Sequence, residues 1–453
     1  MGRVKKILKY LGFFLAFLLL LSICLIDKID RKPYKDLPFY QLMNSRLDSL
    51  QNNYKPDQFA DSLNVGVARI SITPETIGPL AGYGARKPME FDQVLDSVFV
   101  RAIVLDNGKE RKAILSADLL IIHPEISGSL FQKLAEKGWS RNDIYLGATH
   151  SHSSVGGWAP GFAGELFSGD YNQFIGPWIV DQMVKAIDEA SNSLKPASIG
   201  YINNELGENV KNRLMKGGRE DAWMRNLFFK TDKGIIELTT YAAHATCFSK
   251  ESHSLTGDYP SYFHGALSMD SAVIFTSFLA GAVASMGPEM DGRREQEGAR
   301  YIGENMAEQI SLLVNLGTQY DPLTSLSSFR LKVPLRSPQV KVSKNLKIRP
   351  WLFDRLLGNY QVDIQVLKMN NTIMIGMPCD FSGELALPLY EYARAKGLNL
   401  IITSFNGGYI GYVTQDDRYD LEKYETRTMN WYGPDSGAYF SEIVRRIIDT
   451  IAQ

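Results

Sequence analysis

For residues 61–453 the sequence predicts one large domain of mixed α and β structure, an α+β or αβ sandwich with strands and helices interspersed. Three observations predict it. Short apolar runs alternate at the period of a strand. Two amphipathic helices lie between them. After residue 60 there is no internal repeat, low-complexity tract or linker to divide the chain.

The first strand is residues 64–72, NVGVARISI. Residues 98–105 and 113–117 are two more, parted by Asp106-Asn107-Gly108-Lys109, a hairpin-type turn. The first helix spans residues 174–190, where Val180, Val184 and Ile187 share a face. The second spans 298–314, with Ile302, Met306, Ile310 and Leu313 in register. Residues 197–202, 372–376 and 399–404 read as short strands among them. With 453 residues a sizeable core is available. A composition of 45% hydrophobic and 22% charged residues with net charge -1 gives no nucleic-acid footprint. Three cysteines, Cys24, Cys247 and Cys379, exclude a disulfide scaffold. No obligate protein partner is evident.

The N-terminus reads as a targeting element. Residues 1–9 are a basic cytoplasmic flank carrying Arg3, Lys5, Lys6 and Lys9. Residues 10–27 hold an uncharged apolar run, read as a transmembrane anchor or signal segment. The flank predicts that the body lies outside the cytoplasm, periplasmic or extracellular, and secreted if the segment is cleaved. Residues 21–24, LSIC, look a little like a lipoprotein box, with Ile23 where a small residue is expected. Residues 28–60 are polar, carry Pro33, Pro38 and Pro56, and read as a linker with one helix over 40–51.

Chemistry gathers in four stretches. Residues 144–157, IYLGATHSHSSVGG, run from a strand into His150 and His152. On an extended exit, residues i and i+2 point the same way, so both rings face one cavity. Neutral imidazole is a good zinc ligand, and a second one beside it can orient a ligand or move protons. Gly156 and Gly157 let backbone approach a substrate, and Trp158 follows as an apolar contact. The alternative is two polar residues in a solvated turn. The second stretch is 241–248, YAAHATCF, where His244 sits among small apolar residues; taken alone it is a satisfied core histidine. The third is 374–384, MIGMPCDFSGE, where Asp380 and Glu384 are either helix-start carboxylates or an anionic metal ligand at a strand end. The fourth is 404–425, rich in glycine and tyrosine. A tyrosine there can ligate a cation as phenolate or donate to an oxyanion, or the loop is simply packed on the surface. His123, His253 and His264 lie in ordinary polar or helical settings.

Together these stretches resemble the neutral/alkaline ceramidase family in order and spacing, over nearly all of residues 64–440. The family's opening strand and turn resemble residues 65–74, VGVARISITP, and 81–86, AGYGAR. Its G-T-H-T-H-S motif is similar to residues 147–153. Its second histidine stretch resembles 241–246, and its P-G-E-F-T-T stretch resembles 378–383, PCDFSG. Its closing tyrosine-rich run resembles 409–425, with Tyr-Gly-Pro at 432–434.

The resemblance implies one zinc ion per chain, held by His150, His244, Asp380 and Tyr412. His152 is the non-ligand histidine beside it, Arg213 reaches the site, and Tyr424 faces the substrate carbonyl. It implies a zinc-dependent amidohydrolase that cleaves a ceramide-like N-acyl lipid into sphingoid base and fatty acid by a metal-activated water. Metal-dependent esterase or deacylase activity on another acylated compound is the alternative. So is a non-catalytic, membrane-tethered binding protein with a structural metal.

The sequence departs from the family pattern in three places. Asp380 replaces a glutamate, with Glu384 as the substitute if its reach is too short. The family's serine falls on Ala284, with Ser285 one position off, which argues against a serine nucleophile. The chain ends soon after residue 434, so the resemblance covers the catalytic domain without the family's C-terminal sandwich domain.

Overall fold

The computed structural model describes residues 2–55, 58–316, 318–322 and 324–452; within the first helix, the side chains of residues 2–4 and 15–22 also fall outside that description. Two sheets form the centre. The larger is eight-stranded. In chain order its strands are β1 (Leu63–Ser71), β2 (Phe99–Asp106), β3 (Arg111–Ala117), β4 (Ile144–Ala148), β5 (Lys195–Glu205), β6 (Trp223–Thr231), β7 (Gly234–Tyr241) and β8 (Val273–Ala280). Their spatial order is β8-β7-β6-β5-β1-β2-β3-β4. The pairs β7–β8 and β3–β4 are parallel and the rest antiparallel. The second sheet is five-stranded: Phe59–Ala60, then β9 (Thr324–Lys332), β10 (Asp363–Met369), β11 (Thr372–Gly376) and β12 (Asn399–Thr403), with β11–β12 parallel.

Strand alternation decides which face goes where. In β2, Ile103 and Leu105 pack toward the second sheet, in one cluster with Leu367, Met374 and Ile401. The intervening Ala102 and Val104 pack with Ile126 and Leu130 of the helix Pro124–Ala135 and with Ile179 and Met183 of Ile175–Asn192. Helices Tyr259–Leu267 and Glu295–Leu316 cover the β6–β8 end of that outer face through Phe263, Ile302 and Met306. Helices Gly383–Ala395 and Ser436–Ile451 cover the second sheet through Leu389, Ile443 and Ile447. The architecture is therefore a helix–sheet–sheet–helix sandwich in one mixed α and β domain, as the strand and helix patterns predict. Cys247 and Cys379 are buried and unpaired.

The N-terminal expectations fare differently. A helix, Gly2–Leu25, covers the apolar run. Among the described residues no helix is long and apolar enough to cross a membrane, so the expected membrane-spanning anchor is not supported there. Part of that run, residues 15–22, lies outside the described side chains.

The expected linker is a packed strap. Ile26–Lys28 pairs with Leu346–Ile348. The helix Pro38–Asn53 buries Met43 and Leu47 against the second sheet's helical layer. The polar composition of residues 28–60 hid these two anchors, and two anchors one turn apart are enough to seat a helix.

Candidate metal centre

Loops at the C-terminal ends of β4, β7, β8, β11 and β12 meet at one place. β4 delivers His150 and His152, and β7 delivers His244. β11 leads to Asp380. The loop after β12 leads to Tyr412, which pairs with Asp380 across the short parallel bridge of Asp380–Phe381 with Tyr412–Val413. His150 Nε2 lies 2.8 Å from His244 Nε2 and 3.0 Å from His152 Nε2. Asp380 Oδ1 is 3.7 Å from the first of these nitrogens and 3.9 Å from the second. Residues spread from 150 to 412 thus converge, and the three imidazoles form a group able to hold a metal ion.

His150 reaches this place by a route that strand alternation does not predict. β4 ends at Ala148, and His150 itself has φ 64°, the left-handed region that side chains other than glycine seldom adopt. Its backbone is held by N–H donation to the Leu119 carbonyl at 3.0 Å. His150 and His152 face one cavity because of that turn rather than through an extended exit.

Hydrogen bonds at the far side of two rings fix their tautomers. His150 Nδ1 meets the Leu120 carbonyl at 2.6 Å, and His244 Nδ1 meets the Val283 carbonyl at 3.4 Å. A carbonyl only accepts, so each Nδ1 carries the proton and each Nε2 presents a lone pair. Burial keeps both rings neutral: it lowers the His150 pKa to about 3 and that of His244 well below the ordinary value. Two lone pairs 2.8 Å apart repel unless a cation lies between them. Asp380 adds a second sign of the same kind, since its Oδ1 is buried without a hydrogen-bond partner. Two neutral imidazoles, a carboxylate oxygen and a nearby phenol suit a zinc-type ion.

His152 differs from its neighbours: its Nδ1 is buried with no partner, so nothing locks it into the ligating tautomer. Burial, then His150, Arg213 and Arg86, hold its pKa well below the ordinary value. Arg213 Nη2 donates to the Tyr412 hydroxyl at 3.1 Å, and its Nε lies 3.1 Å from Glu425 Oε1. Burial opposes the Arg213 charge, yet Tyr412, Glu425 and Asp380 together raise its pKa. Tyr424 stands at the mouth, 51% exposed, its ring 6.0 Å from that of Tyr412.

The centre opens into a cleft walled by apolar groups, among them Trp158, Phe167, Leu357, Met429 and Trp431. Trp158 is part of this wall. Gly156 and Gly157 are not: a Cβ on the first would meet Ser168 O at 2.1 Å, and on the second Ile175 Cδ1 and Pro79 Cγ at 2.9 Å. They permit chain-to-chain packing and are not part of the cleft wall. Glu384 turns away, 3.7 Å from Arg418, so Asp380 is the carboxylate at the centre. Ser382, not Asp380, caps the helix that follows. Ser285 Oγ is 2.7 Å from Ser382 Oγ and is buried. His123, whose sequence setting is ordinary, stands in the cleft wall beside Trp158 and Tyr360, and burial lowers its pKa to about 4. Its surroundings come from elements remote in sequence, so no local pattern announces it.

Fold and site together define a class: a helix–sheet–sheet–helix domain with a buried histidine and carboxylate centre at its strand ends. Residues 63–272 match the family model of neutral/alkaline non-lysosomal ceramidase, N-terminal, the family that the motifs resemble. Among solved structures, the chain is similar to neutral ceramidase from Pseudomonas aeruginosa, with TM-score 0.72 and 18% identity over 86% of this chain and 74% of that one. It is also similar to a ceramidase complexed with C2, with TM-score 0.73 and 18% identity over 86% of this chain and 75% of that one.

Metal affinity should depend on pH through Asp380. Burial, only partly offset by Tyr409, Arg213 and Tyr412, pushes its carboxyl up to about 7 in the metal-free site. The histidines are already neutral there, so a metal ion binding below that pH displaces the Asp380 proton. The free site then holds more protons than the loaded one, and affinity must fall as pH falls. Asp380 should steepen the profile by about tenfold per pH unit below about pH 7, beyond any proton that the Tyr412 phenol releases. Asp380→Asn should remove that break. Chelator competition at several pH values measures the slope, and an unmodified protein whose profile does not steepen below about pH 7 removes Asp380 from the coordination shell.

Proposed function

We propose that this chain is a zinc-dependent amidohydrolase, one ion per chain, which cleaves the amide bond of a ceramide-like N-acyl lipid. The observation that carries the metal is the pair of Nε2 lone pairs, fixed by the Leu120 and Val283 carbonyls, facing each other at 2.8 Å. The family match and the apolar cleft above the centre support the substrate class. In this reading His150, His244, Asp380 and Tyr412 hold the ion. When bound, the ion supplies Lewis acidity, lowering the pKa of a water toward about 7 and polarising an amide carbonyl.

The protein's own groups supply the rest. Arg213, buried beside Tyr412 and kept charged by its anionic neighbours, and the Tyr424 hydroxyl in the cleft wall would stabilise negative charge on the carbonyl oxygen. His152 can pass a proton from the water to the leaving amine. Trp158, Phe167 and Leu357 exclude water and accept the alkyl part of the substrate. Export of the folded body is part of the proposal, motivated by the basic and then apolar N-terminal residues. A fusion reporter active only outside the cytoplasm tests it.

The test of function is metal analysis of the purified protein with turnover on matched N-acyl and O-acyl lipids. One zinc and chelator-sensitive amide cleavage are expected. Cleavage of the esters alone would move the reading to an esterase, and zinc without turnover on any lipid would leave a structural metal. Ser285→Ala should keep most of the activity, because that hydroxyl is occupied with Ser382 behind the centre. A loss of about 10⁴-fold with intact fold would put a serine back in the mechanism.

A further inference from the structure

Two side chains beside the centre touch residues that would hold the ion without being ligands themselves. The Phe405 ring lies face to face with His150, centroids 3.8 Å apart and planes within 5°. Both residues have left-handed backbones, φ 65° and φ 64°. Non-glycine residues hold that conformation only where their surroundings over-determine it. Tyr409 continues the same layer, its ring 6.2 Å from Phe405 and edge-on to Trp431 at 5.3 Å. Its hydroxyl donates to Asp380 Oδ2 at 2.6 Å. The other oxygen, Oδ1, is the one left without a partner and turned toward the two histidine nitrogens. The loop is stitched to the strand exit that carries Asp380: Asn406 N donates to Met377 O at 3.0 Å and Ile410 N to Pro378 O at 2.9 Å.

We infer that Tyr409 and Phe405 are positioning residues, one presenting Asp380 Oδ1 and the other fixing the His150 ring plane, and that metal affinity depends on both. The inference rests on the metal-centre reading above. An aspartate carboxyl swings about χ1 and rotates about χ2. A donor on Oδ2 restrains both without consuming Oδ1. The ring stack does the same for an imidazole whose Nδ1 bond alone leaves it free to tilt.

The test is zinc affinity by chelator competition, in the unmodified background and in Asp380→Asn. Tyr409→Phe keeps the ring and its packing and removes only the donor. It should weaken binding by roughly 10–100-fold, the usual scale for outer-shell partners of a metal ligand. In the Asp380→Asn background it should change affinity by less than about twofold, because the oxygen it aims is no longer a carboxylate. Phe405→Leu acts through His150 and should weaken binding by a similar factor in both backgrounds. Melting of the metal-free variants shows that they fold, and Phe405→Leu carries the test if Tyr409→Phe does not. Unchanged affinity in both single variants overturns the inference, as does an equal loss for Tyr409→Phe in the two backgrounds. An unmodified protein that binds no zinc overturns the metal reading and the inference with it.

Discussion

His244→Ala should abolish stoichiometric metal binding and lower amide turnover by roughly 10⁴-fold or more, the scale on which a catalytic centre fails as a unit. His244 is fully buried, and its Nε2 is one of the two lone pairs that make the site a cation trap. With an alanine there, His150 Nε2 faces a void, and Asp380 Oδ1 loses one of its two imidazole neighbours. The fold should survive. The segment around residue 244 is tied down independently, by the Tyr259 hydroxyl on Ala243 O at 2.6 Å and by Cys247 N on Asp258 Oδ2 at 3.1 Å. Removing the imidazole also removes a buried polar group held by one long hydrogen bond of 3.4 Å, so the loss in stability is that of a small cavity, about 1–3 kcal/mol. Metal analysis and circular dichroism on the same preparation separate the two effects. A folded variant that still carries one ion per chain would show that His244 is a core histidine after all.

Much of this centre was legible because its residues sit where strands end. A strand pattern followed by an isolated histidine or carboxylate is visible at residues 144–152, 241–244 and 374–380, although β4 and β7 stand near opposite edges of one sheet and β11 belongs to the other. What joined them was the order of the motifs, since no local rule says that β4, β7 and β11 finish at one point.

The turn at His150 was not legible. A histidine with φ 64° is paid for by the Leu119 and Leu120 carbonyls and by Phe405, all supplied from outside the motif. Tyr409 was hidden differently. The tyrosine-rich run offered several phenols, and only the distance of 2.6 Å to Asp380 Oδ2 singles this one out. Gly156 and Gly157 misled for the opposite reason: glycine marks close approach, and here the approaching group is the protein's own chain. The strap over residues 28–53 shows the limit of composition, since a polar helix with Met43 and Leu47 on one face needs no more apolar surface than that to dock.

His152→Ala should leave about one metal ion per chain and still cost roughly 10²–10⁴-fold in turnover, the range of a general acid–base group. Its Nε2 is 3.0 Å from His150 Nε2, close enough to be a ligand by distance alone. The difference lies on the far side of the ring. His150 and His244 each donate a hydrogen bond from Nδ1 to a backbone carbonyl, which leaves the Nε2 lone pair available to a cation. His152 Nδ1 has no such partner, and either nitrogen can carry the proton. Such a ring, held neutral by burial and by the nearby cationic groups, can take a proton at one stage and return it at the next, as an amide hydrolysis requires. Its backbone is independently fixed: Arg86 Nη2 donates to the His152 carbonyl at 3.0 Å, and His152 N donates to Ala245 O at 3.3 Å. The alanine variant should therefore keep the neighbouring ligands in place. If it loses the ion, His152 is a third imidazole ligand, and Asp380 or Tyr412 leaves the coordination shell. If ion and turnover both survive, the proton path runs through the Tyr424 hydroxyl, and Tyr424→Phe becomes the variant that slows the reaction.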